Sequence, residues 1–417
     1  MTYTPKGDRF LTKEINRNLV LNIIKTRGPI SRKDVADVTG LSPATVTGIT
    51  AILIEDGLVS ETGEGRAGAL GGRKPILLQL NPQAGFVAGV KIIEEGIVGV
   101  LVDLDATVIY KEFRPLARGT SKNLSLDPAI TIQTTIETIE EMLSSSSIPQ
   151  ERVLGIGVGI NGLVDTENGV CRFAPHFGWH NIPIKEPLVK HFDLPVHLSN
   201  DVKSLTLAEQ WFGTGQNVDN FVVVAIGRGI GAGIVANGQF YGGTLDGAGE
   251  FGHMVLVPGG PRCSCGKKGC LEALAAEPGI LRQVRVALAQ DEPTILAARP
   301  DLSLKDLAQA AEMGDALAQR ILTEAGEWLG LGIAHLLNIL SPSLIIFTGE
   351  GVQAGPLYYD AAREAIAKYT FSEALVEKLS MVVEPLSNVE WARGAACTVL
   401  SDYFMSPVYK SSVPAMR

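Results

Sequence analysis

The sequence predicts an α/β protein: a two-halved body on mixed or parallel sheet, preceded by a small, mostly helical head that ends in a wing. Three observations predict it. From residue 86 onward, apolar strand-like runs alternate with helical stretches. The body also repeats its opening move. A strand–turn–strand pattern starts near Phe86 and runs through GVKIIEEGIVGVLVDLDATVI, and another starts near Phe221 and runs through VVVAIGRGIGAGIVANGQF. Residues 12 to about 60, by contrast, hold only short helical patterns punctuated by Gly and Pro. A chain of 417 residues is too long for one ordinary core. The division is expected near residue 80: a head over 1–80 and a body over 81–417, itself two lobes, roughly 81–200 with a C-terminal return and 201–400.

In the head, Ile15, Leu19, Ile23 and Ile24 fall on one face of a helix over 11–26, which Gly28 and Pro29 end. Ser31 starts a second helix, with Asp34 three residues on as its capping partner, and Gly40 stops it. Ser42 followed by Pro43 starts a third helix, with Val46, Ile49 and Leu53 as its inner stripe and Gly57 as its end. Two short helices joined by a tight glycine turn form a helix-turn-helix, whose last helix enters the DNA major groove by its N-terminal end. Ser42, Ala44, Thr45 and Thr47 lie there. The Gly-rich stretch 61–75, flanked by strands at 58–59 and 76–80, makes a wing whose Arg73 and Lys74 reach minor groove or backbone. The bland alternative is a plain three-helix packing module.

In the body, strands are expected at 86–91, 97–104, 153–160, 196–199, 221–226, 232–236 and 344–348, and helices at 130–143, 202–212, 279–289, 304–312 and 316–340. Two such halves around a cleft would be an actin-like, sugar-kinase-like arrangement. Asn200 and Asp201 stand where a strand gives way to a helix, at the cleft's edge. Asp201 there either accepts from a sugar hydroxyl, or acts as a base toward it, or caps the helix.

Three of the five cysteines, Cys263, Cys265 and Cys270, fall within eight residues, with His253 upstream. Three thiolates and an imidazole form a closed tetrahedral set that suits structural zinc and leaves no open position for catalysis. Gly266 and Gly269 let the chain wrap tightly. The alternative is three unligated thiols. Cys171 and Cys397 stand alone and read as small buried hydrophobes. Glu250, His253 and Glu272 surround the cluster, and carboxylates are what vicinal sugar hydroxyls need as acceptors.

Composition bounds the function. With 46% hydrophobic and 19% charged residues, extensive disorder is not expected. There is no apolar run of about 18 residues, and the start, MTYTPKGDRFLTKEINRN, lacks a secretion signal, so a cytoplasmic protein with no membrane partner is expected. The net charge of −9 disfavours wholesale nucleic-acid binding. It is uneven, however: residues 1–80 hold 11 basic and 8 acidic side chains, the rest 25 and 37. DNA contacts are therefore expected at one end only.

The body resembles the ROK family (repressors, open reading frames and sugar kinases) over essentially its whole length. The pattern Glu-x-Gly-His followed by Cys-x-Cys-Gly-x-x-Gly-Cys-x-Glu is met by Glu250, Gly252, His253, Cys263, Cys265, Gly266, Gly269, Cys270 and Glu272. The resemblance implies zinc on His253 and the three cysteines. It implies a sugar pocket lined by Glu250, His253 and Glu272 with Asn200 and Asp201, and, from GINGLVD and the 175–179 segment, by Asn161 and Gly162. His176 lies where sugar choice varies in the family. The head resembles the winged helix of the family's repressor branch.

Departures from the kinase pattern decide the function. Where kinases carry Asp-x-Gly-Gly-Thr in the first hairpin turn, this chain reads Lys91, Ile92, Ile93, Glu94, Glu95. The Mg²⁺-binding carboxylate is replaced by a cation, and the glycines that let backbone N–H groups reach phosphates are gone. Two carboxylates are expected to face the polyphosphate site instead. Gly227-Arg228-Gly229 has Arg where kinases usually have Thr, while Thr348-Gly349-Glu350-Gly351 keeps a glycine turn near the adenosine site. Asp201, matching the kinase base, is retained. The reading is a non-catalytic, sugar-responsive repressor, a homodimer or homotetramer, with operator DNA and a sugar or sugar phosphate as partners. The rivals are a hexose kinase using ATP and a regulator controlled by a protein partner.

Overall fold

The computed structural model describes residues 9–65, 74–116, 126–299 and 301–405. The head comprises helices α1 (Arg9–Arg27), α2 (Arg32–Thr39) and α3 (Pro43–Glu55) with strands β1 (Ile30–Ser31), β2 (Val59–Glu64) and β3 (Ile76–Leu80). Its local signals act as the sequence predicts. The Ser31 hydroxyl accepts from the Asp34 N–H, Gly40 closes α2 in the left-handed region, and the Ser42 hydroxyl accepts from the Thr45 N–H. The strands pair in the order β1-β3-β2, with β2 running on to Glu64, further into the wing than the sequence suggested.

The body follows as β4 (Phe86–Ile92), β5 (Gly96–Asp103), β6 (Val108–Pro115), α4 (Pro128–Ser145), β7 (Val153–Ile160), β8 (Leu163–Asp165), β9 (Val170–Ala174), β10 (Trp179–Pro183), α5 (Lys185–Phe192), β11 (Val196–Asn200) and α6 (Asp201–Phe212). The second lobe adds β12 (Phe221–Ile226), β13 (Ile230–Ala236), β14 (Gln239–Phe240), α7 (Leu271–Ala275), α8 (Glu277–Leu288), α9 (Leu304–Glu312), α10 (Ala316–Leu340), β15 (Leu344–Thr348), α11 (Pro356–Tyr369), α12 (Glu373–Glu377) and β16 (Ser380–Glu384). Helix α13 (Asn388–Phe404) then returns to the first lobe and packs on β4, β5 and β7.

The doubling read from sequence is present in the sheets. Each lobe holds five strands in one pattern, β6-β5-β4-β7-β11 and β14-β13-β12-β15-β16. In both, the first three are antiparallel and the last two are added in parallel. Central strands are buried throughout, and mostly apolar, because helices cover both faces. The β4–β5 turn of the first lobe and the β12–β13 turn of the second meet where Arg228 reaches Glu94. No single helix among the described residues is long and apolar enough to cross a membrane.

Candidate ligand cleft and metal centre

Strand β11 delivers its last residue, Asn200, to the mouth of the cleft, where it becomes the cap of α6. Its Oδ1 accepts from the N–H groups of Val202 and Lys203, and its Nδ2 donates to the Gly162 carbonyl at 3.0 Å. The cap is thus Asn200, and Asp201 is the first helical residue. Asn200 also ties down the turn that carries Asn161 and Gly162. Gly162 has φ +129°, and a Cβ there would lie 2.4 Å from the Phe173 carbonyl, so only glycine fits.

Asp201 is 6% exposed, and its Oδ2 is bonded to the ammonium of Lys91, also 6% exposed. Lys91 is still inside β4; the hairpin turn proper is Glu94-Glu95, closed by paired backbone bonds between Ile93 and Gly96. The sequence did not foresee this pairing. Lys91 also lies 5.4 Å from the centre of the Trp391 ring. A buried charge pair of this kind persists only because each partner neutralises the other.

The expectation of two carboxylates facing a phosphate site needs correction. The Arg228 guanidinium reaches across from the β12–β13 turn of the second lobe and donates to Glu94 at 2.6 Å. A long flexible cation finds the nearest carboxylate, and the space is bridged by an ion pair instead of being left with unopposed negative charge.

The metal set is drawn together from two sides. His253 ends a short 3₁₀ turn begun by Glu250, and Cys270 caps α7. Gly269, at φ +78°, lets the loop pass the Val257 carbonyl, which a Cβ would overlap at 1.6 Å. The ligand atoms of His253, Cys263, Cys265 and Cys270 all lie within 4.8 Å of one another. The Cys265–Cys270 sulfur separation is 3.8 Å and His253 Nδ1 lies 3.6 Å from Cys263 Sγ. A tetrahedron with Zn–S bonds of about 2.3 Å has edges of roughly 3.8 Å, so spacing and donor chemistry both fit a metal ion.

The cluster borders the cleft. The other imidazole nitrogen of His253, Nε2, lies 3.9 Å from the half-exposed Glu250 carboxylate. Glu272, buried, accepts from Ser264 Oγ at 2.5 Å and, with its second oxygen, more loosely from the Ile230 N–H at 3.4 Å. Lys203, two residues into α6 from Asp201, points its ammonium toward Asp246 Oδ1, 3.6 Å away. Burial pulls the Lys203 pKa down, while Asp246 and Glu250 oppose that shift. The structure thus sets Glu250 and Glu272 around the metal set with His253, and Asp201 two residues before Lys203, which faces Asp246. It gives Asn200 and Gly162 a shaping role through their mutual bond.

In the head, Ala44 and Thr47 are exposed at the start of α3 and Thr45 is half-buried. The Ser42 hydroxyl is engaged with Thr45. Lys74 is exposed beside Glu64 at 3.5 Å, and Arg73 lies outside the described residues. The head is anchored through α1. Asn18 and Asn22 donate to the carbonyls of Met405 and Phe404 at the end of α13. Lys25 donates to the Trp211 carbonyl and lies 4.0 Å from the centre of the Phe212 ring, at the far end of α6.

These features match known proteins in two blocks. A sequence model described as "ROK family" matches residues 88–401, and one described as "Winged helix-turn-helix DNA-binding" matches residues 14–60. The chain is 30% identical to a xylose repressor of Caldicellulosiruptor bescii over 97% of this chain and 100% of that one. It is 32% identical to the DNA-binding transcriptional dual regulator NagC of Escherichia coli K12 over 86% of each. Among solved structures, a ROK family transcriptional regulator, homolog of the E. coli MLC protein, superposes with TM-score 0.82 at 30% identity, covering 94% of this chain and 98% of that one. A ROK family glucokinase from Streptomyces griseus, in complex with glucose and AMPPNP, superposes with TM-score 0.62 at 26% identity over 75% of this chain and 98% of that one.

Proposed function

Since this chain belongs to the ROK family, we propose that it is a sugar-responsive transcriptional repressor, not a kinase, which reads operator DNA with its winged head and a carbohydrate in its interlobe cleft. One observation carries the choice: the Lys91–Asp201 pair. Phosphoryl transfer needs a carboxylate free to accept the sugar hydroxyl proton and a cradle for phosphates and Mg²⁺. Here the Asp201 oxygen would have to leave a buried ammonium to take that proton. Arg228 and Glu94 bridge the lobes nearby. Asp201 keeps lone pairs for a hydroxyl donor, so binding survives where transfer does not.

The signal has a route. Helix α6 begins at Asp201 and ends at Trp211 and Phe212, against Lys25 of the head, and it packs along α13, whose end holds Asn18 and Asn22. Sugar that draws the lobes together around Asp201 and Glu250 shifts these two helices against the head. Coupling follows only if sugar binds the two arrangements with different affinity. In a homodimer this alters the spacing of two α3 helices, which must meet half-sites about one DNA turn apart. Ser42, Ala44, Thr45, Thr47, Arg73 and Lys74 would make the DNA contacts.

His253, Cys263, Cys265 and Cys270 would hold structural zinc, which supplies cross-linking of the loop and fixes the His253 tautomer. Its Nδ1 faces the cysteines, so Nε2–H is left as a donor toward Glu250 and ligand. The test of the whole reading is incubation with ATP, Mg²⁺ and a sugar panel alongside operator binding. Sugar-modulated DNA binding without ATP turnover is expected; sugar-dependent turnover at ordinary enzyme rates refutes it.

A further inference from the structure

Among the described residues of the cleft, the cations Lys91 and Arg228 already hold a carboxylate each, Asp201 and Glu94. Lys203 differs. It is 5% exposed, its ammonium has only a long ion pair, with Asp246 Oδ1 at 3.6 Å, and it makes no closer hydrogen bond. Asp246 is held there by the Thr166 hydroxyl of the first lobe, which donates to its other oxygen at 2.7 Å. An ammonium has three N–H groups, and leaving them unmatched in a buried site is costly. Lys203 therefore stands as a donor set ready for a ligand oxygen, with Asp246 as the neighbouring acceptor and the Glu250 charge also acting on it.

We propose that Lys203 contacts the effector directly, donating to a hydroxyl or ring oxygen of an uncharged carbohydrate, and that the cleft rejects phosphorylated sugars. This rests on the carbohydrate-binding reading above. The charge balance carries it further. Asp201, Asp246, Glu94, Glu250 and Glu272 outnumber Lys91, Lys203 and Arg228. A phosphate ester brings about −1.5 to −2 charges and wants several unengaged donors. Set beside Lys203, it meets Asp246 and Glu250 as well. A neutral sugar hydroxyl suits the same place: it accepts from Lys203 and donates to a carboxylate, so no buried polar group is left unmatched.

The test is calorimetry on the full-length protein with xylose, glucose, N-acetylglucosamine and their phosphates, using native chain, Lys203→Met and Asp246→Asn. One neutral sugar is expected to bind, with its phosphate weaker by roughly 100-fold. Lys203→Met should weaken the neutral sugar by about tenfold or more. Asp246→Asn should narrow the penalty against the phosphate. If Lys203→Met does not fold, the Asp246→Asn comparison decides alone, and an unchanged penalty overturns the proposal. So does a phosphate that binds as tightly as its parent sugar, or Lys203→Met with unaltered affinity. Silence with every sugar, in either form, is a distinct result: it removes the carbohydrate reading itself and this inference with it.

Discussion

If Lys91 and Asp201 form one buried charge pair, removing either alone should hurt far more than removing both. At contact distance and an effective dielectric of about 20, their attraction is roughly 4–6 kcal/mol. Both side chains are almost fully enclosed, so the survivor of a single substitution cannot recover that loss from water. Truncating one partner of such a pair costs about 3–5 kcal/mol, whereas replacing both by neutral groups of similar size is often close to neutral. Lys91→Met and Asp201→Asn conserve shape while removing charge. Each single variant should lose about 3–5 kcal/mol, and the double should lose less than the sum by about 3 kcal/mol or more. Urea titration of the three variants and the native chain gives this coupling directly, provided the slope with denaturant stays constant. Additive single effects would refute the pairing and, with it, the argument that Asp201 is held back from base chemistry.

The remaining predictions address the joint, the metal and the DNA face. Burial pulls Lys25 from its ordinary 10.5 down to about 8, so the unfolded chain binds that proton more tightly. Its contribution therefore improves as pH rises from about 8 to about 10.5 and is flat below 8, by at most about 3 kcal/mol, less whatever the aromatic faces return to the charged form. The difference in urea midpoint between native chain and Lys25→Met should follow that profile, and parallel curves would contradict it. Purified protein should carry one zinc per chain by elemental analysis, and Cys265→Ser should lose it and melt at lower temperature; full stability without zinc would reject the closed site. Thr47→Glu, on the exposed start of α3, should abolish binding to an operator selected from random duplexes while leaving sugar calorimetry unchanged. Lys74→Ala should instead lower the salt slope of DNA binding by about one, with little change in sequence preference.

Much of this was legible in the chain because the signals were local. The head's helix caps are local: the Ser31 and Ser42 hydroxyls accept from backbone N–H groups three residues on and Gly40 closes α2 in the left-handed region, so all three could be read without knowing the fold. The strands at 153–160, 221–226 and 344–348 and the helices at 304–312 and 316–340 have the bounds that periodicity gave, since the strands are apolar runs and the helices apolar stripes, both bounded by turn residues. The metal ligands come from a compact motif. The hidden features were those made by distant residues. Lys91 and Asp201 are 110 positions apart, and Arg228 and Glu94 are 134 apart. Helix α13 carries small residues along its length, three Ala and one Gly among them, with weak amphipathic character, because it is buried on most sides and lies against β4 and β7. No stripe betrays such a helix. The small sheet β10-β9-β8 was missed because its strands are short and half-exposed.

That division also explains how a sugar-phosphorylating architecture can serve regulation after few changes. The residues proposed for sugar and those matching the kinase phosphate turns lie on different segments, so they can be altered separately. Lys91 lies near the end of β4, buried, where its ammonium meets a carboxylate already present. Exchanging the metal-binding carboxylate for lysine therefore introduces the neutralising partner for Asp201 in one step. A neutral residue there would leave Asp201 able to accept a proton, and an acidic one would restore a metal ligand. A cation alone removes both options while preserving Asp201 as an acceptor for a hydroxyl. The helix that Asp201 begins then runs to the head's anchor at Lys25, so a sugar bound at Asp201 as proposed would act on the helix that ends where the DNA-reading unit is attached.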